Sequence, residues 1–215
     1  MTARVIAVDG VAASGKSTIA RRLADQLGWP YVSSGLFYRV AGLMAAECGI
    51  DVDDEAALVA ALEGAAVELR ADAGRSNRVM VRGADVTGRL HTHEVDTRVS
   101  RVSRHAEVRR WVLERMRAMS RPLVAEGRDM GRVVFPDAEH KYFLTASAEV
   151  RASRRAGERG GRYEEILAAL RVRDEGDSPQ SERAPGAIVI DTSELDPEQV
   201  LGEILRHLQA AGRAE

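Results

Sequence analysis

Eight consecutive residues near the start of the chain, Gly10-Val11-Ala12-Ala13-Ser14-Gly15-Lys16-Ser17, fill the pattern G-x-x-x-x-G-K-[ST]. The chemistry such a loop serves is the holding of a polyphosphate. Gly10 and Gly15 let the backbone turn tightly and approach an anion, so that consecutive N–H groups point at it. A helix opening after the loop adds the positive end of its dipole. Lys16 is spaced to reach the β and γ phosphates of a bound triphosphate, and the Ser17 hydroxyl is placed to ligate Mg²⁺. With Thr18, these residues form the expected ATP-binding stretch. The loop does not fix the reaction. A switch GTPase also needs an Asn-Lys-x-Asp segment, and the only other lysine, Lys141, stands between His140 and Tyr142. A protein kinase needs an Asn and an Asp-Phe-Gly downstream of its Arg-Asp, and nothing of that kind follows Arg128-Asp129.

The elements that must position this loop are legible from periodicity. Val5-Ile6-Ala7-Val8 leads into Gly10 as a short apolar strand. Tyr31-Val32, Leu123-Val124-Ala125, Tyr142-Phe143-Leu144 and Ile188-Val189-Ile190 read as further strands buried on both faces. Between them run helical patterns. Ile19, Leu23 and Leu27 share one face from a helix following Thr18. Val108, Trp111, Val112, Met116 and Met119 share another, as do Ile166, Leu167 and Leu170, and Leu201, Ile204, Leu205 and Leu208. Strand–helix alternation predicts an α/β fold with a five-stranded parallel sheet flanked by helices. Two regions interrupt it. Residues 63–94 predict a small β insert, and residues 151–185 are rich in Arg, Glu and Gly, with little to bury and mobility expected. The organisation expected is one domain over 1–215: a core of 1–62, 95–150 and 186–215, the insert, and a lid of 151–185.

Composition narrows the classes. The 215 residues are 45% hydrophobic and 30% charged, which excludes a disordered or collagen-like chain. A net charge of −2 offers no global basic field for nucleic acid or a membrane surface. The single cysteine, Cys48, excludes an internal disulfide framework and a cysteine-based metal site; it reads as a small apolar helix residue. His91, His93, His105, His140 and His207 show no metal-ligand spacing, and Trp29 and Trp111 read as packing residues. No apolar stretch reaches the roughly 18 to 20 residues of a membrane span, and the N-terminus carries no secretory pattern. A cytoplasmic, monomeric protein is expected.

Two segments stand where a second ligand would bind, beyond the carboxyl ends of the strands. Ser33-Ser34-Gly35-Leu36-Phe37-Tyr38-Arg39 follows the second strand, and Glu126-Gly127-Arg128-Asp129-Met130-Gly131 follows the third. Taken alone, Ser34 reads equally as a helix cap and Arg128-Asp129 as a surface ion pair. Together with the phosphate loop, the Val133-Val134-Phe135-Pro136-Asp137-Ala138 continuation and Asp191-Thr192-Ser193, these segments stand in the order found in bacterial cytidylate kinases, which the chain resembles over nearly its whole length.

That resemblance implies a P-loop NTPase fold whose insert enlarges the monophosphate-binding region and whose Arg-rich stretch is a lid. It implies transfer of the γ-phosphoryl group of ATP to CMP or dCMP with Mg²⁺. Residue by residue, it implies that Arg39 and Arg128 hold the acceptor phosphate. Ser100, Arg109 and Asp129 hold cytosine, Arg173 and Asp177 approach the ribose, and Ser34 lines the acceptor pocket. Without it, Ser100 and Arg109 read as solvated helix residues. Catalysis would rest on Lys16, Arg128, Arg173 and one further lid arginine. Here the sequence departs from the family pattern, which places an arginine three residues after the Asp of Arg-Asp-x-x-Asp-Ser. Gln180 holds that position, and Arg183, three residues on, is the expected replacement. The rivals are a P-loop kinase for AMP, UMP or a non-nucleotide acceptor, and a module that binds ATP without transferring phosphate.

Overall fold

The computed structural model describes residues 4–74, 77–177 and 182–211. Chain order is β1 (Val5–Gly10), α1 (Lys16–Leu27), β2 (Tyr31–Ser33), α2 (Ser34–Cys48), α3 (Glu55–Glu63), β3 (Glu68–Arg70), β4 (Arg78–Val81), β5 (Ala84–Asp85), α4 (His93–Val102), α5 (Ala106–Arg117), β6 (Leu123–Glu126), β7 (His140–Thr145), α6 (Ala148–Arg159), α7 (Tyr163–Asp177), β8 (Ile188–Asp191) and α8 (Pro197–Ala211). The strands read from apolar runs form the expected five-stranded parallel sheet, in the order β2-β6-β1-β7-β8. Central β1 is buried along its whole length, as a strand paired on both edges and covered on both faces must be. Val5 pairs with Leu123 on one side, and Gly10 with Leu144 on the other. The last pairing is close: a Cβ on Gly10 would lie 2.0 Å from the Leu144 carbonyl oxygen.

Strand β8 departs from the expectation of burial on both faces. It ends the sheet, and only Ile190 of its four residues is buried, while Val189 is exposed. At the margin its outer edge has no neighbouring strand, and Val189 is left uncovered, so its apolar run overstates its burial.

The chain divides into two compact units, residues 1–29 with 121–215, and residues 30–120. In the first, α1 begins at Lys16, two residues before the expected Thr18, because Gly15 makes the left-handed turn (φ 90°) that starts the helix. Ile19 and Leu23 are buried, as their spacing predicts. The segment 151–185 corrects a second expectation. Ala152 and Leu170 are buried in a small cluster with Ala12 of the phosphate loop, and Ala13, Ile166 and Leu167 pack against it. The α7 part of this contact is the Ile166, Leu167 and Leu170 face read from periodicity, and Ala152 of α6 adds to it.

In the second unit, β3, β4 and β5 form the antiparallel insert that residues 63–94 predict. Val108, Trp111, Val112 and Met116 line the buried face of α5, and the Trp111 ring meets Phe37 edge-on at 5.8 Å. Met119 lies beyond the end of α5 at Arg117. Cys48, expected as a small apolar helix residue, is the last residue of α2 and exposed.

Candidate active site

The phosphate loop is braced from within. The Val11 carbonyl accepts from Ser14 N at 3.4 Å, Ser14 Oγ at 3.0 Å and Lys16 Nζ at 2.7 Å. Lys16 is buried, with its ammonium turned onto the loop's own Val11 carbonyl, while Ser17 and Thr18 are exposed in the first turn of α1. The Ser17 hydroxyl is a hard oxygen donor at the open end of the loop, which suits Mg²⁺.

Two further groups hold the loop. The Thr192 hydroxyl meets the Ser14 carbonyl at 3.2 Å and the Thr145 carbonyl at 3.1 Å. It also accepts from Arg154 Nη1 at 2.9 Å, so Arg154 is engaged with the Thr192 turn. Arg151, buried on α6, donates to the Ala146 carbonyl at 2.9 Å and the Ala12 carbonyl at 3.2 Å. It also pairs with both carboxylate oxygens of Asp174 on α7, at 3.1 and 2.7 Å. This planar, five-donor side chain therefore ties α6 and α7 to the loop.

The Gly127–Gly131 loop is fixed by β1. Gly127 N donates to the Val8 carbonyl at 3.2 Å, continuing the pairing of β1 with β6. Met130 N donates to Asp9 Oδ1 at 2.7 Å and Gly131 N to Asp9 Oδ2 at 2.8 Å. A single turn of π-helix follows over Met130–Val134, with Val133 N and Val134 N donating to the Asp129 carbonyl at 2.8 and 3.2 Å. Asp129 is buried and Arg128 half-buried. Burial pushes the Asp9 carboxyl up to about 6. The Gly131 and Met130 N–H groups and the Lys16 charge oppose that rise, and the Asp129 charge adds to it.

The second unit carries the remaining expected acceptor residues. Ser34 is the first residue of α2 and buried. Ser33, not Ser34, occupies the cap position, and no side chain caps the helix, so the capping reading of Ser34 fails. Arg39 is half-buried on α2 and donates through Nη1 to the Leu90 carbonyl at 2.9 Å and to Asp96 Oδ1 at 2.5 Å. Ser100 on α4 and Arg109 on α5 are both half-buried, and the Arg109 Nη1 reaches the Ser103 carbonyl at 3.5 Å. Arg183 is exposed, in a segment where Glu182 pairs with Arg132. Arg173 and Asp177 lie on α7, but their side chains fall outside the described residues, as does Gln180 altogether.

Asp9, Asp96 and Arg151 were not marked by any local pattern. Asp9 alone left a trace, as an acidic residue closing an otherwise apolar strand. Two of the three partners of Arg151 named above lie 139 and 23 residues away.

The sequence profile of the cytidylate kinase family matches residues 6–210. A cytidylate kinase of Thermus thermophilus is 51% identical over 205 residues, covering 95% of this chain and 98% of that protein. One of Deinococcus deserti is 50% identical over 204 residues, with the same coverage. A gluconokinase structure from Sinorhizobium meliloti superposes with a TM-score of 0.54 at 16% identity, covering 99% of this chain and 95% of that one, and shows a shared fold. With a phosphate loop braced by Lys16, a buried Asp129 in a loop fastened to β1 and a family match running almost end to end, this chain belongs to the cytidylate kinase family.

Proposed function

We propose that this protein transfers the γ-phosphoryl group of ATP to CMP or dCMP, giving ADP and CDP or dCDP. One observation carries the reading furthest. The Gly-Arg-Asp-Met-Gly loop is anchored with its carboxylate, Asp129, buried in the same unit as an intact phosphate loop. Residues 10–18 take the triphosphate of ATP, and Arg39 and Arg128 take the acceptor phosphate. Asp129 accepts from the exocyclic amino group of cytosine, Arg109 and Ser100 donate to N3 and O2, and Ser34 lines the pocket. Arg173 and Asp177 reach the ribose from the lid formed by α6 and α7, and the three-stranded insert enlarges the monophosphate side.

The nucleophile is a phosphate oxygen of the acceptor. A phosphate monoester has its second pKa near ~6 and is mostly dianionic at neutral pH, so no strong general base is required. The obstacle is electrostatic, because a dianion must approach a polyanion. Lys16, Arg128 and Arg173 offset that repulsion and the charge spread over the transferring group. Mg²⁺, held by Ser17 and the phosphates, supplies further neutralisation when bound. Lid closure excludes water, a competing acceptor.

The test is ADP release from Mg·ATP with CMP, dCMP, UMP, AMP and GMP each supplied as acceptor. Turnover confined to CMP and dCMP is expected. Another preferred acceptor overturns the base assignment, and ATP binding without turnover favours a sensing module. Replacing Arg183 with alanine is expected to lower kcat about tenfold or more, the effect of losing one charge-assisted hydrogen bond, while Gln180→Ala changes it little. Equal, small effects on kcat rule out Arg183 as the compensating arginine. We place the enzyme in the cytoplasm as a monomer; among the described residues no helix is long and apolar enough to cross a membrane.

A further inference from the structure

The Arg128–Asp129 segment is fastened at both ends to two neighbouring residues of β1. Upstream, Gly127 N donates to the Val8 carbonyl at 3.2 Å. Downstream, Met130 N and Gly131 N donate to the two separate oxygens of Asp9, at 2.7 and 2.8 Å. Only Arg128 and Asp129 lie between the fastenings. The downstream one leaves little room to shift, since a Cβ on Gly131 would meet Lys141 Cγ at 3.1 Å and Ala184 Cβ at 3.3 Å.

Asp9 is 3% exposed, and its burial works against the ionised form that accepts both bonds. A carboxylate is the side chain that presents two acceptor oxygens and no hydrogen to two adjacent N–H groups; an asparagine would turn an NH₂ towards one of them. Both Asp9 oxygens are committed to the backbone, so the residue is not placed to take a proton from a substrate.

We propose that Asp9 is a positioning residue for base selection: by fixing the loop from below, it sets the carboxylate of Asp129 and so the preference for cytosine over uracil. This rests on the reading of Asp129 as the cytosine acceptor. It adds a residue of the first strand, outside the loop itself, to the determinants of specificity.

The test compares Asp9→Asn with Asp129→Asn, measuring kcat and KM for CMP, UMP and Mg·ATP at pH 7.5. Both variants are expected to lower the CMP-to-UMP ratio of kcat/KM, Asp9→Asn by about tenfold, with KM for Mg·ATP within about twofold of the unaltered enzyme. If Asp9→Asn leaves the ratio unchanged, or shifts KM for ATP and both acceptors together as a general loosening would, the proposal fails while the Asp129 reading survives. If Asp129→Asn leaves the ratio unchanged, the reading itself fails and takes the proposal with it.

Should Asp9→Asn not fold, the unaltered enzyme still decides the matter. Its CMP-to-UMP ratio is followed from pH 7.5 to 5. Both acceptors carry the same phosphate monoester, so ionisation of that group cancels in the ratio. The charged groups acting on Asp9 are Lys16 and Asp129. The ratio is expected to fall as pH drops through about 6, where Asp9 takes up a proton and loses an acceptor. A flat ratio overturns the proposal.

Discussion

Replacing Lys16 with alanine is expected to cut turnover about a thousandfold while leaving the fold intact. The first half follows from electrostatics. A fixed cation at the β and γ phosphates acts where charge develops in the transition state, and losing one such preorganised donor typically removes about 10²–10³ in kcat. The second half follows from the loop. Lys16 donates to the Val11 carbonyl at 2.7 Å, and that carbonyl also accepts from the Ser14 hydroxyl at 3.0 Å and the Ser14 N–H at 3.4 Å. It therefore keeps partners when Lys16 is gone, so that carbonyl is not left unpaired. Turnover with CMP and a thermal melt on the same sample check both halves. Near-normal activity would remove the phosphate-loop mechanism.

The second large effect concerns the acceptor. Asp129→Asn is expected to lower kcat/KM for CMP and raise it for UMP, so that the preference between them falls by about 5- to 150-fold. The arithmetic is that of buried hydrogen bonds. Cytosine sets an amino donor where uracil sets a carbonyl acceptor, so a carboxylate pairs with the first and repels the second. Each buried polar group left mismatched costs about 1–3 kcal/mol. An asparagine amide can turn either its oxygen or its nitrogen to the base and so discriminates poorly. Steady-state kinetics with both acceptors give the ratio directly. An unchanged ratio would mean that the base edge is read by another residue.

Much of this arrangement was legible before any coordinates. The five strands announced themselves as short apolar runs, and the phosphate loop by spacing alone. The insert showed as two β-like runs around a turn-rich stretch. What stayed hidden was whatever depends on partners distant in the chain. Nothing near Arg151 says that its guanidinium will bind Asp174 on another helix and a loop carbonyl 139 residues away. Nor does the run after Asp129 reveal a π turn, because the N–H groups that open it are satisfied by Asp9, 121 and 122 residues upstream. The misjudged burial of β8 has the same root. An apolar run records the side chains of one strand, and what covers each of its faces is decided elsewhere in the chain.

The two glycines of the phosphate loop differ in what they testify to. Nothing lies within 4 Å of the place a Cβ on Gly15 would take, so its absent side chain answers to the left-handed turn that opens α1. Gly10, at φ 146°, would drive a Cβ to 2.0 Å from a main-chain oxygen of the adjoining strand. Its identity is thus dictated by the closeness of β1 and β7, whatever the loop binds. A descendant that had abandoned nucleotides altogether would still have to keep that glycine, while Lys16 and Ser17 were free to drift. Among the motif's fixed positions, the two glycines are records of architecture, and Lys16 and Ser17 carry the information about the ligand.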